Sequence, residues 1–466
     1  MFCRSRVSMI VIALIAGFAR PMAAQPSSGS VFQRALTAET DERDISKAID
    51  LYKEALRQFP SMQPWTGRAL LHLGSCYERV GRLKEAVLVY RSILVRTGIA
   101  TEIAQEARAD VQRLEGQMAA LLNPTDTKSV LAGFLESAAV QKDGSVLRWG
   151  ADPLLKSDVR PSYVEDVIGA TAVALGPRQF LWINQDGAVM GWDSETARNL
   201  PLASSATIGG LTDVVMVGCG GSHQLALRND GSVWGWGMNN RGQVGDDTLS
   251  RRVRPVWIGG ITGVVAIAAG EEHSIALTGD GTVFTWGAND VGQLGIGSDI
   301  ALIPHPKYVP GSRGIVAVAA GARHSIAMAG DGTVWTWGNN ADGELGDGTN
   351  QSSHDPVQVA HLSNVQAIAA GPAYTVALRS DGTVWAWGDN RYGQLGDGNT
   401  ISRAIPVQVS GLVNIQAISA GAGHNLAVRR DGTVWAWGRN DMGQLGDGTT
   451  HNRLVPVQIS SPSPAG

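Results

Sequence analysis

The chain has 466 residues, a formal net charge of −4, an isoelectric point near 6.1 and 44% hydrophobic residues. This length and apolar content allow more than one domain with a sizeable core, and they argue against disorder over most of the chain. The nearly balanced charge offers no basic surface to a nucleic acid, so we expect no nucleic-acid partner.

The N-terminus has the pattern of a secretory signal peptide. Arg4 and Arg6 precede an apolar run over residues 7–18, and a small-residue cleavage site follows at Ala23-Ala24. We therefore predict a signal peptide over residues 1–24 and a secreted or periplasmic protein that has no membrane partner after cleavage. An uncleaved membrane anchor is the alternative, although about 12 apolar residues are short for a span.

Residues 31–122 have the periodicity of α-helices, with apolar side chains on one face of each predicted helix. The first stripe ends where Phe59-Pro60 stops the helix, and it consists of Ile45, Ala48, Ile49, Tyr52, Ala55 and Leu56. A helical hairpin follows, in which Gly74 should let two helices approach closely. This hairpin resembles a tetratricopeptide repeat, and the resemblance is carried by Leu73-Gly74, Tyr77, Ala86 and Tyr90. It implies a small all-α domain that either presents a groove to a peptide or only caps the next domain, to which residues 123–128 form a linker.

One motif recurs from residue 129 to residue 460. Its most regular copy is DGTVWAWG at Asp431–Gly438, and related copies start, at intervals of 43 to 51 residues, at Asp143, Asp186, Asp230, Asp280, Asp331 and Asp381. The fifth unit predicts four short strands, over residues 316–321, 324–328, 333–337 and 356–359. Its Asp-Gly pair predicts a type I′ hairpin turn between the second and third strands. Seven such units without crossover helices predict a mainly β fold, a seven-bladed β-propeller, followed by a disordered tail over residues 461–466.

The segments GxxHS, DGTVWAWG and NxxGQLGDGT closely resemble the repeat of the regulator-of-chromosome-condensation family. The five units from Val214 onward match that repeat nearly position for position, whereas the first two lack the GQLGDG loop. The resemblance covers residues 129–460 and implies a seven-bladed propeller of this family's type, in which the two ends of the repeat region meet and close the ring. The best-known member of the family performs guanine-nucleotide exchange on a small GTPase.

Tryptophan and histidine recur at fixed repeat positions and are predicted to hold the blades together. The paired tryptophans alternate with small residues in the third strand, where packed sheets need bulk, although a sugar-binding platform is the alternative. The histidines lie at equivalent positions of different blades and so cannot converge on one metal ion unless they line a very narrow axis. We expect them to form structural hydrogen bonds. The predicted structural residues are Trp234, Trp236, Trp286, Trp335, Trp337, Trp385, Trp387, Trp435, Trp437, His223, His273, His324 and His424.

No nucleophile, metal-binding or nucleotide-binding motif stands in the strand and helix context that it requires. The loop Asp441–Gly448 lacks the alternating carboxylates of a calcium loop, so its Asn and Asp residues are predicted to form Asx turns. We therefore expect no catalytic residue, no cofactor, no metal and no enzymatic activity. A site in the axial channel that no linear motif reveals is the alternative.

The copies differ at the free positions of two turns, NxxG and GxxH, and only such positions can specify a partner. Arg391 and Tyr392 stand out because Arg and Tyr are enriched as anchors at protein interfaces. The predicted partner-binding rim comprises Arg241, Asp290, Asp342, Arg391, Tyr392, Asp441, Met442, Glu271, Glu272 and Arg323.

The favoured hypothesis is a monomeric, non-catalytic scaffold that binds one or more unidentified protein partners through the propeller rim and the helical surface. The alternative is a propeller that binds a glycan or the cell wall through tryptophans exposed at blade edges. Guanine-nucleotide exchange is less favoured, because an export signal would separate the protein from cytosolic GTPases.

Overall fold

The computed structural model describes residues 28–40, 45–58, 65–80, 83–94, 99–121, 127–151, 158–164, 167, 169–177, 179–193 and 206–459. The predicted signal peptide and the predicted disordered tail lie outside the described residues. The chain divides into two compact units, with the boundary between Met118 and Ala119. In the described part of the chain, no helix has the length and apolar character that a membrane span requires.

The first unit is helical, as the periodicity predicts. Its apolar stripe is buried, since Ala48, Tyr52 and Ala55 are fully enclosed. At Gly74 an added Cβ would lie only 2.4 Å from the Tyr90 ring, so glycine permits the close approach of two successive helices. The tetratricopeptide character of this unit stays a prediction. The helices are α1 (Ser28–Thr40), α2 (Ile45–Gln58), α3 (Thr66–Arg79), α4 (Leu83–Leu94) and α5 (Thr101–Leu121).

The second unit consists of seven four-stranded antiparallel sheets, each formed by consecutive strands, which confirms the seven-bladed β-propeller. Blades 1 and 2 contain β1 (Thr127–Ala132), β2 (Glu136–Gln141), β3 (Val146–Gly150), β4 (Asp158–Tyr163), β5 (Ala172–Gly176), β6 (Gln179–Ile183), β7 (Val189–Asp193) and β8 (Ala206–Thr207). Blades 3 and 4 contain β9 (Val214–Cys219), β10 (His223–Arg228), β11 (Val233–Gly237), β12 (Arg252–Trp257), β13 (Val264–Ala269), β14 (His273–Thr278), β15 (Val283–Ala288) and β16 (Leu302–Tyr308). Blades 5 to 7 contain β17 (Ile315–Ala320), β18 (His324–Ala329), β19 (Val334–Gly338), β20 (Ser353–Gln358), β21 (Val365–Ala370), β22 (Tyr374–Arg379), β23 (Val384–Gly388), β24 (Arg403–Gln408), β25 (Ile415–Ala420), β26 (His424–Arg429), β27 (Val434–Gly438) and β28 (Arg453–Gln458).

Two strands begin earlier than the sequence predicts. β1 begins at Thr127, within the predicted linker, because Thr127 pairs with Gln141 across a bulge. β20 begins at Ser353, because that residue pairs with Gly338 across a similar irregularity and so extends the strand beyond Pro356.

The prediction of a type I′ turn at the Asp-Gly pair is wrong. The loop of blade 5 has three residues, Gly330 to Gly332, and only Gly332 has a positive φ, of +81°. The Asp331 side chain accepts hydrogen bonds from the backbone N–H and the hydroxyl of Thr333, at 2.9 and 2.7 Å. This side-chain bonding favours a type I turn followed by a left-handed glycine.

The ring closes between the last blade and the first. One apolar cluster includes Ala139 and Trp149 of blade 1 together with Leu426 and Ala436 of blade 7. The backbone N–H of Ala422 also donates to the carbonyl of Gly133, at 3.0 Å. The first and last blades therefore meet and close the ring, as the resemblance implies.

Candidate partner-binding surface

Within each blade, two turns lie on one face of the propeller, whereas the third turn and the connection between successive blades lie on the other. In blade 5, His324 pairs with Gly338, so the GxxH turn before β18 and the NxxG loop after β19 lie at the same end of the sheet. We call this end the rim face. The Asp-Gly turn between β18 and β19 lies at the opposite end, which we call the DG face.

A buried hydrogen-bond relay joins each blade that carries the repeat histidine to the next blade. Nε2 of His273 in blade 4 lies 2.9 Å from the hydroxyl of Ser325 in blade 5. That hydroxyl donates to the backbone carbonyl of Gln293 in blade 4, at 2.8 Å. The Trp337 indole N–H of blade 5 donates to the same carbonyl, at 3.0 Å. One carbonyl thus binds two side chains of the neighbouring blade.

The relay recurs around the ring and includes the junction that closes it. In each case the histidine, the hydroxyl group and the carbonyl come from two adjacent blades. The further sets are His223 with Ser274 and Gln243, His324 with Thr375 and Glu344, and His424 with Ser137 and Gln444.

The relay determines the tautomer of each histidine. The Ser325 hydroxyl uses its proton on the Gln293 carbonyl, so it must accept the Nε2 proton of His273. Nδ1 of His273 is then an unprotonated nitrogen, and none of the described residues forms a hydrogen bond with it. Burial lowers the pKa of His223, His273 and His424 to about 3 and that of His324 to about 4, so all four are neutral in the folded protein.

Three blades replace the histidine. Tyr374 takes its place in blade 6, where the hydroxyl lies 3.0 and 2.8 Å from the carbonyls of Gly421 and His424. Glu136 takes its place in blade 1 and forms a buried ion pair with Arg148. Gln179 in blade 2 accepts a hydrogen bond from the Gln224 side chain.

The two tryptophans of each motif differ in burial. The second member packs between blades, and Trp337 lies against Ile275, Leu277 and Val283 of the preceding blade. The first member is only partly buried, as at Trp335, Trp385 and Trp435. The indole of Trp435 lies under the Arg429 guanidinium, 4.4 Å from the ring centroid to Cζ. The sequence pattern does not distinguish the two positions.

The NxxG loops are held by buried asparagines. In blade 7, the Asn440 side chain accepts from the Leu445 N–H at 2.9 Å and donates to Asp447 at 3.0 Å. Asp447 also accepts from the Thr449 N–H at 2.9 Å and from Arg453 at 2.7 Å. Asp447 therefore forms the predicted Asx turn, whereas Asn440 bonds across the loop to a residue five positions later.

These loops place the predicted rim residues side by side, because the NxxG loop of one blade adjoins the GxxH turn of the next. Arg241 of blade 3 lies 3.6 Å from Glu272 and 3.3 Å from Asp290, both of blade 4. Asp290 also pairs with Arg323 of blade 5. Glu271 is exposed beside Glu272 in the same turn. The ion pairs thus link three consecutive blades across their boundaries.

A second group lies on blades 6 and 7. Arg391 is 69% exposed, yet its Nε donates to Asp389 at 2.9 Å. Asp389 raises the pKa of the Arg391 guanidinium, and the carboxylate of Asp342 in blade 5 adds to this effect. Met442 is exposed, and the neighbouring Asp441 carries a partly exposed carboxylate.

Arg439 is the rim residue that the sequence reasoning missed. Its guanidinium lies 5.0 Å from the centroid of the Tyr392 ring and donates to both oxygens of Asp441, at 2.8 and 2.6 Å. The slot after the third strand also varies between copies, as Met238, Ala288, Asn339, Asp389 and Arg439, and this variation could have revealed it. Arg439 fixes Tyr392 and Asp441 relative to each other.

Comparison with known proteins identifies the family. A family model described as the RCC1-like domain matches residues 129–465. The chain belongs to the RCC1-like domain family. The E3 ubiquitin-protein ligase HERC2 of Homo sapiens is 37% identical over 262 residues, which cover 52% of this chain and 4% of that protein. The Ultraviolet-B receptor UVR8 of Arabidopsis thaliana is 34% identical over 249 residues, which cover 50% of this chain and 46% of that protein. The chain thus spans less than half the length of either relative.

Solved structures share the fold of this RCC1-like propeller. Yeast RCC1 (Prp20) bound to Kap60 aligns with a TM-score of 0.60 and 20% identity over 68% of this chain and 84% of that one. Human WBSCR16 aligns with a TM-score of 0.58 and 24% identity over 67% of this chain and 89% of that one.

The buried histidines should make the RCC1-like propeller sensitive to mild acid. The unfolded chain takes up protons near the ordinary histidine pKa of 6.5, whereas the folded chain resists protonation until pH 3 to 4. Their contribution to stability is therefore complete above pH 6.5 and is lost below it, by about 1.4 kcal/mol per histidine and pH unit. Urea titrations between pH 7.5 and pH 5 should show the free energy of unfolding falling steeply.

His324→Gln tests the assignment, since blade 2 has Gln179 in the same slot. We expect this variant to be less stable at pH 7.5. The slope of its unfolding free energy against pH should be smaller by the contribution of about one proton. His451→Gln, at an exposed histidine, should leave the slope unchanged. Equal slopes in His324→Gln and the unaltered protein would contradict the assignment.

In blade 5, Glu344 occupies a buried loop position that holds glutamine in the other blades with this loop. Burial raises the pKa of its carboxyl group. Its carboxylate accepts from the Asp342 N–H at 2.8 Å and from the Asn339 side chain. We expect Glu344→Gln to stabilise the protein by about 1 kcal/mol at pH 8, because no charge is then buried. The gain should shrink as the pH falls and Glu344 becomes protonated, which urea titrations at pH 8 and pH 5 would measure.

The reverse exchange in blade 4 is the matched control. The Gln293 amide donates to Asp290 at 3.1 Å, so Gln293→Glu would place two carboxylates together. This variant should be destabilised at pH 8. If both exchanges changed the free energy of unfolding in the same direction and by the same amount, the hydrogen-bond partners of the side chain would not matter.

Proposed function

We propose that this chain is a non-catalytic scaffold whose RCC1-like propeller binds a protein partner through the rim face. The observation that carries the proposal is the contiguity of the varied residues. The repeated tryptophans and histidines are used between blades, while the varied residues of the NxxG and GxxH turns adjoin one another on the rim face.

The blade 6 and blade 7 part of the rim has the character of an interface anchor. Tyr392 is held under Arg439, which is itself fixed by Asp441, so little side-chain freedom is lost on binding. Arg391 presents most of its side chain to solvent, and Met442 adds exposed apolar surface. Arg and Tyr are the residue types most enriched at interface hot spots.

We further propose that residues 1–24 direct export. The protein would then act as a monomer and bind its partner in the periplasm or outside the cell. The activities of HERC2 and UVR8 are not transferred, since the chain covers only part of each. Guanine-nucleotide exchange remains the less favoured role because of the proposed export.

Site-specific photo-crosslinking in the native host tests the rim. A photoreactive residue in place of Tyr392 should capture a discrete partner, whereas one in place of Ile405, exposed on the outer strand of the same blade, should not. Arg391→Ala should reduce the yield at Tyr392 several-fold, because it removes a neighbouring contact. Capture of the same partner from both positions, or capture unaffected by Arg391→Ala, would exclude the rim as the binding surface.

A second candidate function, carbohydrate binding, is favoured by Trp257. Among the tryptophans whose side chains the structure describes, it alone is mostly exposed, at 57%. It lies on the outer strand of blade 3 and pairs across the sheet with Trp234, which is partly buried. An exposed indole at a blade edge can stack on a sugar ring.

Tryptophan fluorescence with soluble peptidoglycan fragments and a panel of oligosaccharides tests this candidate. If Trp257 binds sugar, its emission should shift on addition of ligand, and Trp257→Ala should abolish the shift because the stacking surface is lost. Trp435→Ala, at a partly buried tryptophan, is the control. An unchanged spectrum over the whole panel would rule the candidate out.

A further inference from the structure

The DG face has three varied positions in each blade around the mouth of the central channel. First strands of successive blades lie next to one another around the axis, so their starts surround this mouth. The three positions are the residue before the first strand, the second residue of that strand and the residue before the Asp-Gly pair. In blade 4 they are Gly263, Val265 and Gly279.

Blades 4 and 5 leave a valine uncovered there. Val265 is 54% exposed and Val316 is 55% exposed. A Cβ added to Gly279 would lie 3.5 Å from Cγ1 of Val265, and a Cβ added to Gly330 would lie 3.5 Å from Cγ1 of Val316. Both glycines are exposed, so each valine stands beside bare backbone.

Other blades fill the same positions with polar side chains. Blades 6 and 7 have Asn364, Gln366, Ser380, Asn414, Gln416 and Arg430, all of them exposed. Blade 3 is intermediate, with a valine that is 51% exposed at Val215 between Asp213 and Asn229. Since the same fold tolerates glutamine at this position, the fold does not require the valines of blades 4 and 5.

Two carboxylates beside these valines form no ion pair with a described basic residue. Asp280 and Asp331 are exposed, and hydrogen bonds from Thr282 and Thr333 keep them ionised. In the described part of the chain no basic side chain pairs with either of them, whereas Arg379 lies 3.5 Å from Asp381 in blade 6.

The imbalance extends over both blades. Residues 264–358 include ten acidic and three basic residues, a net charge of −7, compared with −4 for the whole chain. Residues 365–458, in blades 6 and 7, include six acidic and seven basic residues. Arg313 is the basic residue nearest in sequence to the valines, and it is exposed.

We propose that Val265 and Val316, with their flanking glycines and the carboxylates of Asp280 and Asp331, bind an amphipathic protein segment that carries lysine or arginine beside its apolar side chains. We call this surface the valine sector. Charge complementarity selects this occupant. A second copy docked sector to sector would bring the acidic blades together, and an anionic membrane would be repelled. The valine sector lies on the face opposite the rim, so the propeller would bind two partners at once.

Binding of labelled amphipathic peptides to the full chain tests the proposal. The probes are a fluorescein-labelled 14-residue Leu/Lys helix and the same helix with Glu in place of Lys. By fluorescence anisotropy at 50 mM salt, the lysine helix should bind and the glutamate helix should not. Val265→Gln with Val316→Gln should weaken binding about tenfold, because two apolar contacts are lost. Asp280→Asn with Asp331→Asn should weaken it several-fold at 50 mM salt and have no effect at 0.5 M.

The controls separate this surface from other apolar and charged regions. Val253→Gln removes a valine that is 81% exposed on the outer strand of blade 3, and it should leave the affinity unchanged. Tyr392→Ala should also leave it unchanged, so failure of the rim proposal and failure of this one are distinguishable. Unaltered affinity in the Val265→Gln, Val316→Gln protein, or equal binding of the glutamate helix, would overturn the proposal. So would a dimer, detected by analytical ultracentrifugation, that the same double variant dissociates.

Discussion

The structure depends on a backbone carbonyl that each regular blade offers to the next. In blade 4 this is the carbonyl of Gln293, which accepts from Ser325 and Trp337 of blade 5 while His273 donates to the same serine. Buried polar groups are tolerated only when they are bonded, so the tryptophan is accompanied by a second donor, which is serine or threonine with a histidine behind it at four junctions and Asn425 at the junction of blades 6 and 7. The loop that supplies the carbonyl must also keep its shape, which explains the buried asparagine clamp in every regular blade.

This constraint separates structure from recognition. A side chain used between blades cannot also contact a partner, which is why the repeated tryptophans and histidines that look chemically active contribute to packing. The positions that remain free are short stretches of turn on the two faces. Recognition must then be built from those turns, and the turns of the two faces differ in character. The rim face carries paired charges around a fixed tyrosine, whereas the valine sector carries exposed valines beside unpaired carboxylates.

The sequence predicts the blades better than the site. Alternation around Trp335 and the repeated glycines determine the number of strands, their order and most of their bounds, because they are local patterns. The predicted type of the turn at Asp331 is wrong, because hydrogen bonds of the Asp331 side chain decide between turn types that share the Asp-Gly signature. Arg439 was missed because its importance comes from the ring of Tyr392 on another blade, a neighbour 47 positions away in the chain. Exposure of Trp257 likewise depends on what covers a blade edge, which no local pattern encodes.

The junction between His424 and Ser137 has one more consequence. It uses the same groups, in the same order, as the three other histidine junctions of the ring. The carbonyl of Gln444 therefore bonds to the first blade as the carbonyl of Gln293 bonds to the fifth. The hydrogen bonds at this junction are therefore the same as those at three junctions between blades that are consecutive in the chain. The position of the termini is a property of the covalent chain alone. A circular permutation that keeps the cyclic order of the blades would keep the same set of contacts.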